Sequence, residues 1–264
     1  MSAADLFREG KLNEAVDAAI AAVKQKPTDL DARYALAQML CFAGDMERAD
    51  THLDAIASQD KDRLIVIGML RHLVRAEQWR RQFYDEGRVP EIVADPSPVV
   101  RLHLEASVLV RKGETTQAVE LLRQASEQQT PVAGTCDGKA FDDIRDLDDL
   151  VGPVCEVLTS NGKYFWIPWE RIERIEMRPV ESPFDLLWRP THMEVRGGPD
   201  GEVFIPTLYV NSHKESDNAL RLGRGTDWRG EEQALVRGVG QRMLLIGEED
   251  RSILDIETIE FADA

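Results

Sequence analysis

The chain has 264 residues, 43% of them hydrophobic and 30% charged, which is enough for a sizeable core and unlike the composition of a disordered chain. The formal net charge is −16; residues 1–130 carry 17 basic and 21 acidic side chains (17 − 21 = −4), so −12 falls on the rest. Such a field repels phosphate backbones and anionic lipid faces, so neither nucleic acid nor a membrane is expected as a partner.

The chain starts "MSAADLFREGKLNEAV", without a basic stretch leading into an apolar one, so no secretory signal is expected. No apolar run approaches the roughly 18 residues of a membrane span. A cytoplasmic location is the expectation. Two segments then align without gaps, "GKLNEAVDAAIAAVKQKPTD" from Gly10 and "GDMERADTHLDAIASQDKDR" from Gly44. Their offset of 34 residues is the tetratricopeptide period. Ala15 and Ala49 fall at the same phase, where a small side chain lets antiparallel helices approach, and each glycine breaks the chain between helices. "GETTQAVELLRQASEQQTP" from Gly113 is a third copy, with Ala118 in phase and Pro131 near its end. Between the copies, "DRLIVIGMLRHLVRAEQWRRQFYDEG" reads as one long helix and "VPEIVADPSP" as a loop. Residues 1–130 are therefore expected to be a helical repeat domain that stacks into a curved solenoid. The positions that face the groove of such an array are Tyr34, Gln38 and Phe42 in the second unit, and His103, Ser107 and Arg111 in the third. Each reads equally as a contact for a captured helix or as inter-helix packing.

The grammar changes after residue 130. "CEVLTSNGKYFWIP" is a hairpin expected to turn at Asn161-Gly162 through a type I′ turn. "IERIEMRPV" alternates like a half-buried strand, and "THMEVRGGPDGEVFIPTLYV" is a second hairpin. Residues 211–232 read as a polar loop. "QRMLLIGEEDRSILDIETIEF" adds two strands. Residues 136–264 thus read as a small, mainly antiparallel β domain, a bent sheet or a partly closed barrel, making the whole a two-domain α+β protein. Trp166, Trp169 and Trp188 are expected in its core; Trp228, in the loop, could also belong to a binding patch.

Chemistry is sparse. Cys41, Cys136 and Cys155 are too few and scattered for a disulfide framework or zinc site. His52, His72, His103, His192 and His213 show no ligand spacing. Ser212, His213 and Asp217 are close in sequence, whereas triad members usually come from separate elements. The stretch "FDDIRDLDDL" (residues 141–150) holds five aspartates, but at offsets that fit no calcium loop. One reading is a metal-assisted hydrolase on residues 142–149, with Asp146 and Asp149 as the carboxylates. The other is structural: Phe141, Ile144, Leu147 and Leu150 recur every third residue and pin a short 3₁₀ or α turn, whose aspartates cap turns or pair with Arg145. No cofactor or resident metal is expected, and a general repeat scaffold is a further reading.

The pieces "RDLDDL", "NGKYFWIP", "DLLWRP" and "GEVFIPTLY", following a degenerate repeat half, resemble the ImpE family, also called TagJ, accessory proteins of type VI secretion. The resemblance implies a non-catalytic adaptor that binds an N-terminal helix of the small sheath subunit (TssB-like) and links the sheath to the ClpV-type AAA+ ATPase that disassembles it. Within those pieces Asp146, Asp149, Trp188 and Arg189 are the structural signature.

Overall fold

The structure, a computed structural model, describes residues 1–230 and 234–262. Seven helices come first: α1 (Ala3–Arg8), α2 (Leu12–Gln25), α3 (Leu30–Ala43), α4 (Met46–Gln59), α5 (Leu64–Glu86), α6 (Pro98–Lys112) and α7 (Thr115–Gln128). The repeat pattern explains their pairing. Gly10, Gly44 and Gly113 lie between α1 and α2, α3 and α4, and α6 and α7, with φ of 81°, 87° and 77°, a region open to glycine. Ala15, Ala49 and Ala118 have no exposed surface, as a close helix crossing requires. The degenerate segment is the single 23-residue helix α5. The connection after it, read as a loop, contains a two-residue strand, β1 (Glu91–Ile92).

The β region contains β2 (Gly134–Cys136), β3 (Lys139–Phe141), β4 (Ile144–Asp146), β5 (Val154–Leu158), β6 (Tyr164–Pro168), β7 (Ile172–Met177), β8 (Trp188–Val195) and β9 (Asp200–Pro206). After a four-residue helix, α8 (Asn218–Arg221), follow β10 (Thr226–Arg229), β11 (Arg237–Gly240), β12 (Met243–Ile246), β13 (Glu249–Ser252) and β14 (Thr258–Phe261). Nine strands form one open sheet in the order β1-β6-β5-β9-β8-β7-β14-β2-β3. Its neighbours are antiparallel except for β1 beside β6. The end strands β1 and β3 do not pair, so the barrel form is not realised. A three-stranded sheet (β13-β12-β4) and the β10–β11 hairpin complete the region.

Three local expectations change. Asn161 does not take a positive φ; only Gly162 does (87°), and Thr159 closes a longer loop by donating its N–H to Lys163 O at 3.0 Å. The C-terminal stretch gives three strands, because β14 leaves the β12–β13 hairpin to join the large sheet. The 211–232 segment carries α8 and β10 rather than plain loop; Glu231 and Glu232 lie outside the described residues.

Period-2 alternation divides the large sheet between two cores. Val154, Leu158, Tyr164, Trp166 and Trp188 join the helices in one cluster, with Leu36, Phe42, Val74 and Phe83. Val157, Ile167, Met193 and Val195 point the other way, into a cluster with Leu244, Ile246, Ile259 and Phe261. The helical array and the sheet therefore share one hydrophobic core.

Candidate functional site

The seam between α5 and the sheet holds a buried charge network. Glu156 in β5 has no exposed surface, because its position in the alternation points at the helices. Arg80 of α5 donates Nε at 3.1 Å to Oε1 and Nη2 at 3.0 Å to Oε2. Tyr84 donates its hydroxyl to Oε1 at 2.9 Å, and Tyr164 and Arg242 also donate to the carboxylate. Arg80 further donates to Leu208 O at 3.0 Å and pairs with Glu77 at 3.3 Å. Burial works to raise the Glu156 pKa, but the guanidiniums of Arg80 and Arg242 outweigh it and hold the carboxyl well below the usual range. Burial pushes up Tyr84 and Tyr164, and the neighbouring carboxylate adds to it. Both phenols stay protonated donors.

The aspartate stretch is the other half of this seam. It is a strand and turn rather than a helical turn, and its buried positions alternate: Ile144, Asp146, Asp148 and Leu150. Asp146 accepts from Arg242 (3.1 Å), Tyr209 (3.0 Å) and the Asp148 N–H (2.8 Å). Burial pushes its pKa up to about 7 against the pull of Arg242. Asp148 accepts Arg237 Nε on both oxygens at 2.8 Å and caps the Leu150 N–H at 3.0 Å. Asp149 accepts the Val236 N–H at 2.8 Å and faces Arg145 at 3.7 Å, while Asp143 caps Val132 at 2.9 Å. Asp142 is exposed. Guanidiniums occupy the places a cation would take, and among the described residues no group of three or more His, Cys, Asp or Glu side chains could hold a metal ion.

Of the expected groove residues, His103 lies at a cleft of about 420 Å³ with Val119, Leu122 and Asp149. Gln38, Phe42, His103 and Ser107 are buried, since the sheet region covers the array. Tyr34 packs edge-on against Phe184, and Phe42 against Phe7. His103 donates Nδ1–H to Leu150 O at 2.9 Å, and burial drops its pKa to about 4. Arg111 donates to Phe83 O at 3.0 Å and to Ser107 Oγ at 3.2 Å. Of the other signature residues, Trp188 stacks on Phe184 and Arg189 donates Nε to Arg178 O at 2.9 Å. Trp166, Trp169 and Trp188 are buried, while Trp228 is 38% exposed beside Tyr209. Ser212, His213 and Asp217 form no relay: Ser212 donates to Tyr209 O, the His213 ring lies against Gly44, and Asp217 caps Ala219.

Sequence reasoning missed Glu77, Arg80, Glu156 and Arg242. Two signals for them exist. Glu156 interrupts the otherwise apolar run "VCEVL", and Glu77 sits three residues after Val74, on the apolar stripe of α5.

Comparisons place this architecture among known proteins. The ImpE protein family matches residues 138–260 and a tetratricopeptide repeat family matches residues 6–71. The type VI secretion system accessory component TagJ of Pseudomonas aeruginosa is 27% identical over 263 residues, spanning 99% of this chain and 91% of that protein. The crystal structure of protein VPA1032 from Vibrio parahaemolyticus superposes with a TM-score of 0.92 at 28% identity, covering 99% of this chain and 98% of the other. The chain is thus similar to TagJ over nearly its whole length, and its β region matches the ImpE family.

Proposed function

We propose that this protein is a non-catalytic, cytoplasmic accessory adaptor of type VI secretion. It captures an N-terminal helix of the small, TssB-like sheath subunit and links the sheath to the ClpV-type ATPase that takes it apart. The near full-length likeness to TagJ carries the reading. The chemistry of the seam supports it: the buried carboxylates, tyrosines and arginines are spent on one another and on backbone groups, leaving no nucleophile and base aimed at an open cavity. An amphipathic helix is the ligand that helical repeats and grooves accept through apolar burial. No helix of the described residues is long and apolar enough to cross a membrane.

Calorimetry of the full-length protein with the N-terminal peptide of the cognate small sheath subunit tests the proposal. Saturable binding in the micromolar range is expected. Absence of binding at high micromolar concentration, for the peptide and the intact subunit alike, refutes it.

A further inference from the structure

The captured helix needs a seat, and the expected groove residues Gln38, Phe42, His103 and Ser107 are buried. One face of α5 is free. At 100° per residue, Leu64, Gly68, Arg75, Gln78 and Trp79 share one stripe, opposite the buried Leu70 and Leu73. The stripe is the floor of a groove. On one side stands α4, tied to α5 by Arg71 pairing with Asp50 at 2.7 Å. On the other stands the β5–β6 turn, held where His72 donates Nδ1–H to Ser160 O at 2.6 Å.

The two ends of this groove differ in chemistry. At the N-terminal end Leu64, on the stripe, and Ile65, at its rim, are 51% and 86% exposed, two adjacent apolar side chains in open solvent. At the other end a cleft of about 660 Å³ is lined by Arg75, Trp79 and Arg88 along α5 and the chain after it, with Asp45 and Glu47 on the α4 side. Arg88 stacks over Trp79 at 3.9 Å, and neither Arg75 nor Arg88 has a carboxylate partner among the described residues.

Gly68 lies between the two ends, inside the helix, and a Cβ built there meets nothing within 4 Å. Glycine weakens a helix interior, and here no internal contact explains it. A side chain at this position would stand between α5 and anything laid along it.

We propose that this groove on α5 seats the partner helix. That helix lays its apolar end on Leu64 and the neighbouring Ile65, passes closest at Gly68, and sets carboxylates against Arg75 and Arg88. The floor from Leu64 to Trp79 is about 22 Å long, or roughly four helical turns of partner. The inference rests on the helix-capture reading and adds the place and the ligand's charge pattern.

The test uses the full-length protein and the same sheath-subunit peptide, with Ile65→Asp, Gly68→Met and Arg75→Glu. All three positions are solvent-facing, so the variants fold, with melting temperatures near wild type. Each is expected to weaken peptide binding at least ten-fold. Wild-type binding that all three variants retain overturns the site and leaves the adaptor reading standing. Absence of wild-type binding overturns both. Gly68→Ala, measured without peptide, should raise the melting temperature by about 2 °C or more, as removal of an exposed helical glycine does in a chain of this size. A fall would show that the fold needs the glycine and would overturn the argument for a contact.

Discussion

Glu156→Gln is the most severe single test of the seam. The substitution keeps shape and removes one charge. In the native state the carboxylate takes Arg80 twice, Arg242, Tyr84 and Tyr164, with no exposed surface. A glutamine amide offers one oxygen where two are used, and its NH₂ group faces arginine donors. Glu77 remains for Arg80 and Asp146 for Arg242, so neither cation is stranded entirely. Breaking a buried pair from one side costs about 3–5 kcal/mol. At roughly 2–4 °C per kcal/mol for a chain of this size, the melting temperature should fall by about 10 °C. Urea denaturation and calorimetry read the effect, with Glu120→Gln on the exposed face of α7 as a control expected to leave the midpoint unchanged. The pH dependence has a fixed sign. The Glu156 pKa is depressed below its ordinary 4.5, so its contribution is complete above that value and is lost as pH falls through the folded pKa. The variant should therefore show a flatter acid limb below pH 4.5. A loss under about 1 kcal/mol for Glu156→Gln would refute a charge-ordered seam.

Asp146→Asn should steepen the loss of stability between about pH 6.5 and 4.5. Native Asp146 holds its proton up to about pH 7 against 3.8 unfolded, so in wild type it makes stability fall as pH rises, by up to about 1.4 kcal/mol per unit. His103, lowered to about 4 by burial, acts in the opposite direction and loses stability as pH drops below 6.5. Parallel wild-type and variant profiles in urea melts would contradict this assignment. Asp146→Ala should lower the melting temperature by several degrees, roughly 2–4 °C per kcal/mol lost, while changing sheath-peptide affinity less than about two-fold; the reverse would reopen a functional role for the aspartates. Gly44→Ala forces a side chain into a φ of 87° and to within 2.2 Å of the His213 ring, so a loss of about 2 kcal/mol or more is expected. Gly44→Ala combined with His213→Ala should recover part of it in thermal melts. Residues 1–130 expressed alone should fail to melt cooperatively by circular dichroism, since Phe83 then loses Tyr164 and Trp166 and Tyr34 loses Phe184. A melt matching that of the full chain would refute the shared core.

The helical pairing was legible because it is written locally. A glycine at each turn and an alanine five residues later fix where two helices meet, whatever lies around them. The strands were legible for the same reason, through alternation in "IERIEMRPV" and "YFWIP". What could not be read is where faces go. Gln38, Phe42 and His103 look like groove residues in an isolated array, and only the arrival of the sheet decides that they pack inward. The aspartate stretch misled for a related reason. Its apolar residues recur every third position, yet Asp146 and Asp148 are buried because Arg242 and Arg237, about 90 residues away in sequence, come to meet them. A charge can be inside when its partner is distant in the chain, and no window of local sequence contains both.

The polar seam also explains why the two halves hold one arrangement. An apolar contact between helices and sheet tolerates sliding, since burial is roughly proportional to area and indifferent to direction. Glu156 tolerates none. It is satisfied only when Arg80 from α5, Tyr164 from β6 and Arg242 from the turn before β12 converge on it together. Small displacements strand charges where water cannot reach them, at several kcal/mol each. Desolvation makes such a network a poor source of net stability, so its effect is on specificity: it fixes the angle between array and sheet. On the proposed reading, in which a sheath helix is held at one face and an ATPase meets another, function depends on that angle. With α5 forming both the wall of the seam and the floor of the outer groove, the residues that lock the two halves also hold Gly68 and Arg75 in place.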